Sequence, residues 1–561
     1  MEVLFGIDLG TTYSCVAYVN ENEKAETIKN AEGFLTTPSV IYFESEEVQI
    51  VGDEAKSYSV TEPEKSVSFI KREMGNVYRR KILNTEYSPQ ELSSKILKKL
   101  IQDANNTLKK QGVIHDGEEV NKAVITCPAY FGVAEKEATR TAGKLAGIEV
   151  LDIINEPTAA AINYGRINGE NGSRRVLVYD LGGGTFDVTI MDIDGNKVKV
   201  ICTGGDSRLG GKDWDEATVK TLLERWQDEN DSSEDITLDM ETKSAMLNAA
   251  EKAKKTLSIK EKATVNFVHE GENFRTVLTR EEFDEYTAGL LQKTIDMTDK
   301  CIEAMKEKDP SRNIDEIILV GGSSNMPQIQ AKIEKKYGLP VHMFDPDEAV
   351  AKGAALYAQN KNAWQIITDE IHKLTGEKIE DIEEELSNGK NLEDLVTGLG
   401  ENLDNLSGMA SMLDISNVSS KTYGVKVLDY SLEHDVIENF IFQNDTLPIT
   451  SKRQFGTIVD NQRALDIKLY ESISKDPQIT DLTYLKDHEP VTVFTMEFKQ
   501  PVPKGTAVDI KMTLNNNGLL SIVAEELLYH SKLETEYTVT GGMTEAEMKN
   551  AMARVENSRV E

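Results

Sequence analysis

The chain has 561 residues, with 63 Lys plus Arg against 96 Asp plus Glu and a formal net charge of -33. A 28% charged and 39% hydrophobic composition fits a globular protein of roughly three to four domains. The acidic balance argues against binding to nucleic acid or to anionic membrane surfaces, both of which need a basic face. The four cysteines, Cys15, Cys127, Cys202 and Cys301, form no CxxC pair and read as small buried hydrophobes of a reducing compartment. No HExxH spacing occurs among the histidines, which argues against a zinc enzyme. The start lacks a basic, apolar leader pattern and no run of 18 apolar residues follows, so the expected location is cytoplasmic.

In chain order, apolar runs at 3–9, 122–127, 175–181, 188–193 and 316–320 predict strands, several buried on both faces. Helical periodicity marks 91–110, 135–146, 239–257 and 280–307. This alternation predicts an α/β domain over 1–360. Residues 361–411 read as an acidic helical insert: 362–414 carries 13 acidic residues and three lysines. An apolar segment, Met412-Leu413-Asp414-Ile415, then suggests a linker over 412–422.

Beyond it the period becomes two. Short strands are expected at 423–428, 439–443, 464–471, 492–498, 507–514, 519–525 and 534–539, with Asn516-Asn517-Gly518 as a hairpin turn. These predict an antiparallel β-sandwich over 423–540. A short helix over 541–561 follows, with Thr544 as N-cap and Glu547 closing a capping box.

One internal repeat carries the chemistry. Asp8-Leu9-Gly10-Thr11-Thr12 follows the first strand, and Asp180-Leu181-Gly182-Gly183-Gly184-Thr185-Phe186-Asp187 follows another, 172 residues later. Glycines let backbone N–H groups approach phosphate oxygens, threonines add hydroxyl donors, and the aspartates reach metal-bound water. Two such loops face to face can clamp a nucleotide's β- and γ-phosphates. No GxxxxGK[ST] and no HRD…DFG set is present, so neither a P-loop ATPase nor a protein kinase fits. Residues 192–196 imitate the start of a calcium loop, but Thr203 stands where its last glutamate belongs, so a hairpin turn is expected.

On these stretches the chain resembles the 70-kDa heat-shock chaperone (DnaK-like) family. The matching segments are 6–14 (GIDLGTTYS), 125–131 (ITCPAYF), 153–161 (IINEPTAAA), 179–187 (YDLGGGTFD), 204–211 (GGDSRLGG), 319–323 (LVGGS) and 345–351 (DPDEAVA). The resemblance implies a two-lobed, actin-like α/β ATPase domain using ATP/ADP, Mg²⁺ and a monovalent cation such as K⁺. It implies that Asp8, Glu156 and Asp180 hold Mg²⁺ through water, and that Lys71 and Asp187 complete the catalytic set. Gly10, Thr11, Thr12, Tyr13, Gly182, Gly183, Gly184 and Thr185 would contact phosphate. Gly321, Gly322, Ser323, Asn325 and Asp347, with Glu251, Lys254, Lys255 and Ser258 from one helix, would hold the nucleoside.

In the sandwich, Val425, Leu428, Phe455, Ile458, Leu465 and Ile467 fall where the family lines its peptide pocket, and ordinary sandwich core explains the same alternation. Ile458 is bulkier than the small residue expected there and would narrow the cleft.

Three departures stand out. Lys255 and Asn325 occupy the positions of two adenine-stacking arginines, which predicts weaker nucleotide binding. Lys136 replaces an arginine in the relay that includes Pro128 and Tyr130. Asp152 reverses the charge of an arginine that recruits J-domain co-chaperones, so a standard J-domain partner is in doubt; a nucleotide-exchange factor is implied as a further partner. The expected function is an ATP-dependent chaperone for unfolded or apolar polypeptide segments, without a long lid. The alternative is a nucleotide-regulated scaffold with one dedicated client.

Overall fold

A computed structural model describes residues 2–168, 172–195, 197–376, 378–379, 382, 414–481, 490–515, 518–536, 543 and 545–561. Two sheets of the first part share one strand logic. Phe5–Asp8 and Tyr13–Val19 run antiparallel with Asp8 opposite Cys15, and Lys122–Cys127 lies parallel on the other side of Phe5–Asp8. Arg174–Leu181 and Phe186–Asp194 repeat this with Asp180 opposite Asp187, and Glu316–Val320 lies parallel beside them. Val176, Leu177, Val178 and Tyr179 are all fully buried, as an unbroken apolar run requires when helices cover both faces. Each Asp-Leu-Gly loop is therefore a turn at the same point of two similar sheets, and the two turns meet.

The expected elements are found in type, with ends that move: the strand expected at 3–9 is Phe5–Asp8, and those expected at 439–443 and 534–539 are His434–Ile441 and Ser531–Glu536. The predicted helices become Pro89–Gln111, Val133–Leu145, Met240–Ile259 and Arg280–Lys308. The turn at 194–195 joins Phe186–Asp194 to Lys197–Asp206 as a hairpin, as expected in place of a calcium loop. The helix Ala349–Thr375 runs through residue 360, where a boundary was expected, because Ala363, Ile367 and Ile371 continue its buried face. Most of the acidic insert, Met412, Leu413, Asn516, Asn517, Gly541, Gly542 and Thr544 lie outside the described residues.

Two antiparallel sheets form the sandwich. One runs Gln478–Ile479, His434–Ile441, Thr422–Asp429, Gln462–Ser472, Thr492–Val502; the other runs Ile449–Gly456, Ala507–Leu514, Leu520–Glu526, Ser531–Glu536. Ile449–Gly456 was not expected as a strand. Its half-buried face carries Ile449, Ser451, Arg453 and Phe455, and the two polar members hide the period of two.

The sandwich sits against the lobes. Asp414–Ser416 adds a sixth strand to the second sheet, parallel to Lys197–Lys199 of the strand Lys197–Asp206. Thr203 N–H donates to Asn444 Oδ1 at 2.9 Å, and the Ser420 hydroxyl donates to the Phe131 carbonyl at 2.7 Å. Val133, on a lobe helix, packs into the sandwich core beside Tyr423 and Val425.

The C-terminal helix Glu545–Asn557 lies on the first lobe. There Arg554 pairs with Glu91 at 2.7 Å, and Lys98 donates to the Val555 and Ser558 carbonyls at 2.8 Å each. Among the described residues, no helix is long and apolar enough to cross a membrane.

Candidate functional site

A cleft of about 570 Å³ opens between the two lobes. Lining it are every sequence-predicted catalytic and nucleotide residue except Gly184 and Asp187, which stand just behind. The two loops interlock at its floor. A Cβ on Gly183 would lie 1.9 Å from Thr12 Oγ1, and one on Gly184 would lie 2.2 Å from Thr11 Cγ2, so only glycine permits this approach. Gly321 closes the far wall at φ +82°, where a Cβ would lie 2.4 Å from Asp180 Oδ1.

Charge is the main feature of the floor. Asp8, Glu156, Asp180 and Asp187 are all buried, and the buried cation among them is Lys71, ion-paired with Glu156. Burial, then the charge of Glu156, pushes the Asp8 carboxyl up to about 7, although Thr126 donates to it at 3.0 Å. Asp180 is raised well above the usual carboxylate range by burial and by Glu156 and Asp8. Burial opposes the charge on Lys71, but Glu156 and Asp8 outweigh it and raise its pKa. Four acids against one ammonium leave a deficit of positive charge that a divalent cation would fill. Among the described residues, no three acids, histidines or cysteines converge closely enough to ligate an ion directly. A hydrated Mg²⁺, which keeps most of its waters, fits this donor set.

Asp187 stands just behind the lining of the cleft, close to the charges of Glu156 and Asp180. Its Oδ1 accepts the Ala129 and Tyr130 N–H groups at 2.8 and 3.3 Å, while Oδ2 has no hydrogen-bond partner among the described residues. Burial, Glu156 and Asp180 raise its pKa well above normal. The same strand-to-helix segment then meets the sandwich: Phe131 accepts from Ser420, and Gly132 abuts the Glu471 carboxylate.

At the mouth, Glu251 and Lys255 make a clasp that the sequence reading assigned to the nucleoside alone. Lys56, from the first-lobe helix Asp53–Thr61, pairs with Glu251 at 2.5 Å and donates to the Tyr13 hydroxyl at 2.8 Å. Lys255 pairs with Glu251 at 3.0 Å and also donates to Tyr13. Against the cost of burial, the two ammonium groups hold Glu251 down at about 2. Asn325 folds back, donating to the Gly322 carbonyl at 3.1 Å, so neither Lys255 nor Asn325 presents a planar cation. Lys254 is buried, donating to the Gly211 carbonyl and pairing with Asp215, both at 2.8 Å.

Sequence reasoning missed Lys56, Arg72, Lys212 and Asp215. Arg72 donates to the Gly184 carbonyl at 2.8 Å and pairs with Asp213 at 2.7 Å, tying the first lobe to the second phosphate loop. Its place next to Lys71 was the available signal.

Of the six predicted peptide contacts, Val425 and Ile467 belong to the sandwich core, with Phe455 and Leu465 half-buried against it. Leu428 and Ile458 are exposed. Asp152 is buried, and pairs with Lys361 at 3.1 Å and Arg140 at 3.5 Å, while the Tyr357 hydroxyl donates to it at 2.9 Å.

Two lobes with matched hairpins around a charged cleft, followed by a β-sandwich, define an actin-like nucleotide-binding architecture joined to a second, all-β module. The chain matches the family described as Hsp70 protein over residues 4–86, 79–367 and 404–561. It is 34% identical over 570 residues to the Chaperone protein DnaK of Ureaplasma urealyticum serovar 10 (strain ATCC 33699 / Western), covering all of this chain and 82% of that protein. The chain belongs to the Hsp70 family, whose members are ATP-binding chaperones that use Mg²⁺ with the nucleotide.

Proposed function

We propose that the chain is an ATP-dependent chaperone in which slow hydrolysis in the cleft is coupled to the grip of the sandwich on unfolded, apolar polypeptide segments. In this reading 1–360 is the ATPase domain, 361–411 an acidic insert, 412–422 the linker, 423–540 the substrate-binding sandwich and 541–561 a short helical stub. Asp8, Glu156 and Asp180 hold the waters of a Mg²⁺ ion, which when bound neutralises charge on the nucleotide phosphates. Backbone amides of the two glycine loops and the hydroxyls of Thr11, Thr12 and Thr185 bind the phosphates. The Lys71 ammonium adds positive charge beside them, and Asp187 orients the attacking water or a K⁺ ion. Positioning and charge neutralisation are what phosphoryl transfer needs.

The single observation that carries the coupling is the segment 128–132. Its amides bind Asp187 at one end, and its Phe131 carbonyl and Gly132 meet Ser420 and Glu471 of the sandwich at the other. A change in what Asp187 holds therefore acts on the interface through a handful of consecutive residues. In the sandwich, Leu428 and Ile458 form the rim of the peptide cleft above Phe455 and Leu465, with Val425 and Ile467 beneath. Asp152 is already neutralised by Lys361 and Arg140, so J-domain recruitment does not run through it.

Single-turnover ATP hydrolysis, with and without an unfolded apolar polypeptide, tests the reading. Acceleration by the polypeptide, with hydrolysis lost in Lys71→Ala, is the expected result. Hydrolysis indifferent to the polypeptide would overturn the coupling and leave a nucleotide-regulated scaffold.

A further inference from the structure

Cys202 and Cys301 stand outside the cleft and take no part in the chemistry proposed for it. Cys202 lies on the strand Lys197–Asp206 and Cys301 on the helix Arg280–Lys308. Both are free and buried, and their Sγ atoms are 3.3 Å apart. Cys202 also donates to the Cys301 carbonyl at 3.2 Å. We infer that this pair is an oxidisable dithiol, which a hydroperoxide closes to a disulfide that clamps the strand to the helix.

The placement gives the bond a consequence. Lys197–Lys199, earlier on the strand, receive the linker strand Asp414–Ser416. Thr203, next to Cys202, donates its N–H to Asn444 of the sandwich. From the helix, Lys308 donates to the Ile201 carbonyl at 2.8 Å and to the Asn444 carbonyl. Strand and helix thus hold Asn444 jointly, and Cys202–Cys301 is the point where a covalent bond would join them. Forming the bond shortens the sulfur separation from 3.3 Å to about 2.05 Å. With that bond in place strand and helix cannot slide apart, and the docked sandwich is retained.

At rest the pair is sheltered. The hydrogen bond with Cys202 and then burial push the Cys301 thiol well above its usual range, so it is protonated and a poor nucleophile. Both sulfurs lie in the core of the second lobe, so transient local opening of the strand from the helix sets the rate at which oxidant arrives. The step balances as two thiols plus ROOH giving the disulfide, ROH and water. The O–O bond and two S–H bonds break, one S–S bond forms, and each product oxygen takes one thiol proton. A sulfenic acid on one sulfur is the intermediate that the second thiol displaces with loss of water.

The test exposes the full chain to hydrogen peroxide, quenches, and counts thiols after denaturation. Loss of two of the four thiols is expected, with an intact mass lower by about 2 Da, a Cys202–Cys301 crosslinked peptide and full recovery in dithiothreitol. Cys301→Ala should keep its three remaining thiols under the same exposure, and reversal by dithiothreitol tests the wild-type chain without any variant. Amide hydrogen exchange, measured without nucleotide, should slow several-fold at 197–203 and 415–416 in the oxidised chain. Four thiols surviving, sulfonic acids in place of the crosslink, or a crosslink that leaves those amides exchanging as before would each overturn the inference.

Discussion

Glu471 makes the contact between lobe and sandwich sensitive to pH. Its carboxylate lies against Gly132, its Oε1 has no hydrogen-bond partner among the described residues, and burial with the nearby charge of Glu135 pushes its pKa up to about 8. Lys421 offsets part of this, as do the Val133 N–H and the Tyr423 side chain. Glu135 stays fixed because its Oε2 accepts the Gly132 N–H at 3.0 Å. When the sandwich leaves, Glu471 returns to water and to an ordinary value near 4.5. A carboxyl whose pKa is higher in the docked form favours docking most below the undocked value. That contribution is lost as pH rises from about 4.5 to about 8 and stays flat above.

The span is about 3.5 pH units, which at about 1.4 kcal/mol per unit bounds the effect at about 5 kcal/mol. Within that window each pH unit weakens docking by up to about tenfold. Energy transfer between dyes on the first lobe and the sandwich, followed across that window, reads the docked fraction directly. Glu471→Gln should remain docked at the alkaline end and lose most of the slope. A wild-type docked fraction that is flat in pH, or a Gln variant with the full slope, would refute the reasoning.

Lys71→Ala removes the ammonium from among four buried acids, so besides losing hydrolysis it should lower stability by about 3–5 kcal/mol in metal-free buffer, measured by thermal melting with and without Mg²⁺. Lys56→Ala opens the clasp between Asp53–Thr61 and Met240–Ile259, and loss of about 1.4 kcal/mol there should speed nucleotide release by about tenfold in stopped-flow. Asn325→Arg restores a planar cation at the cleft mouth and should tighten nucleotide binding, read by calorimetry; unchanged affinity would remove the stacking argument.

What the sequence made legible, and what it hid, follow one physical division. The floor of the cleft was readable because each loop is local: strand, Asp-Leu-Gly, small residues, strand. A local motif that occurs twice predicts two similar turns, and the register of Asp8 against Cys15 and of Asp180 against Asp187 delivers them. The clasp and the docking face were not readable because their partners are far apart in the chain. Lys56 meets Glu251, Phe131 meets Ser420, Thr203 meets Asn444 and Gly132 meets Glu471, and none of these pairs has a spacing that marks it. Cys202 and Cys301 show the same limit: with no CxxC spacing they read as plain hydrophobes, and only the packing of a strand on a helix puts their sulfurs side by side.

The same division runs through function. Phosphate chemistry needs groups within a few ångströms, which two short loops supply. Coupling needs an element that touches two sites at once, and 128–132 is placed to do so because its Ala129 and Tyr130 amides donate to Asp187 while Phe131 accepts from Ser420 of the sandwich. Asp187→Asn keeps the shape and an acceptor oxygen but replaces a titratable carboxyl with a neutral amide. If the segment is the link, this variant should bind nucleotide with little change and lose the nucleotide-dependent change in energy transfer between dyes on the first lobe and the sandwich, a readout that does not need hydrolysis. If that change persists, the signal runs instead through the linker strand Asp414–Ser416 and the edge it shares with Lys197–Lys199.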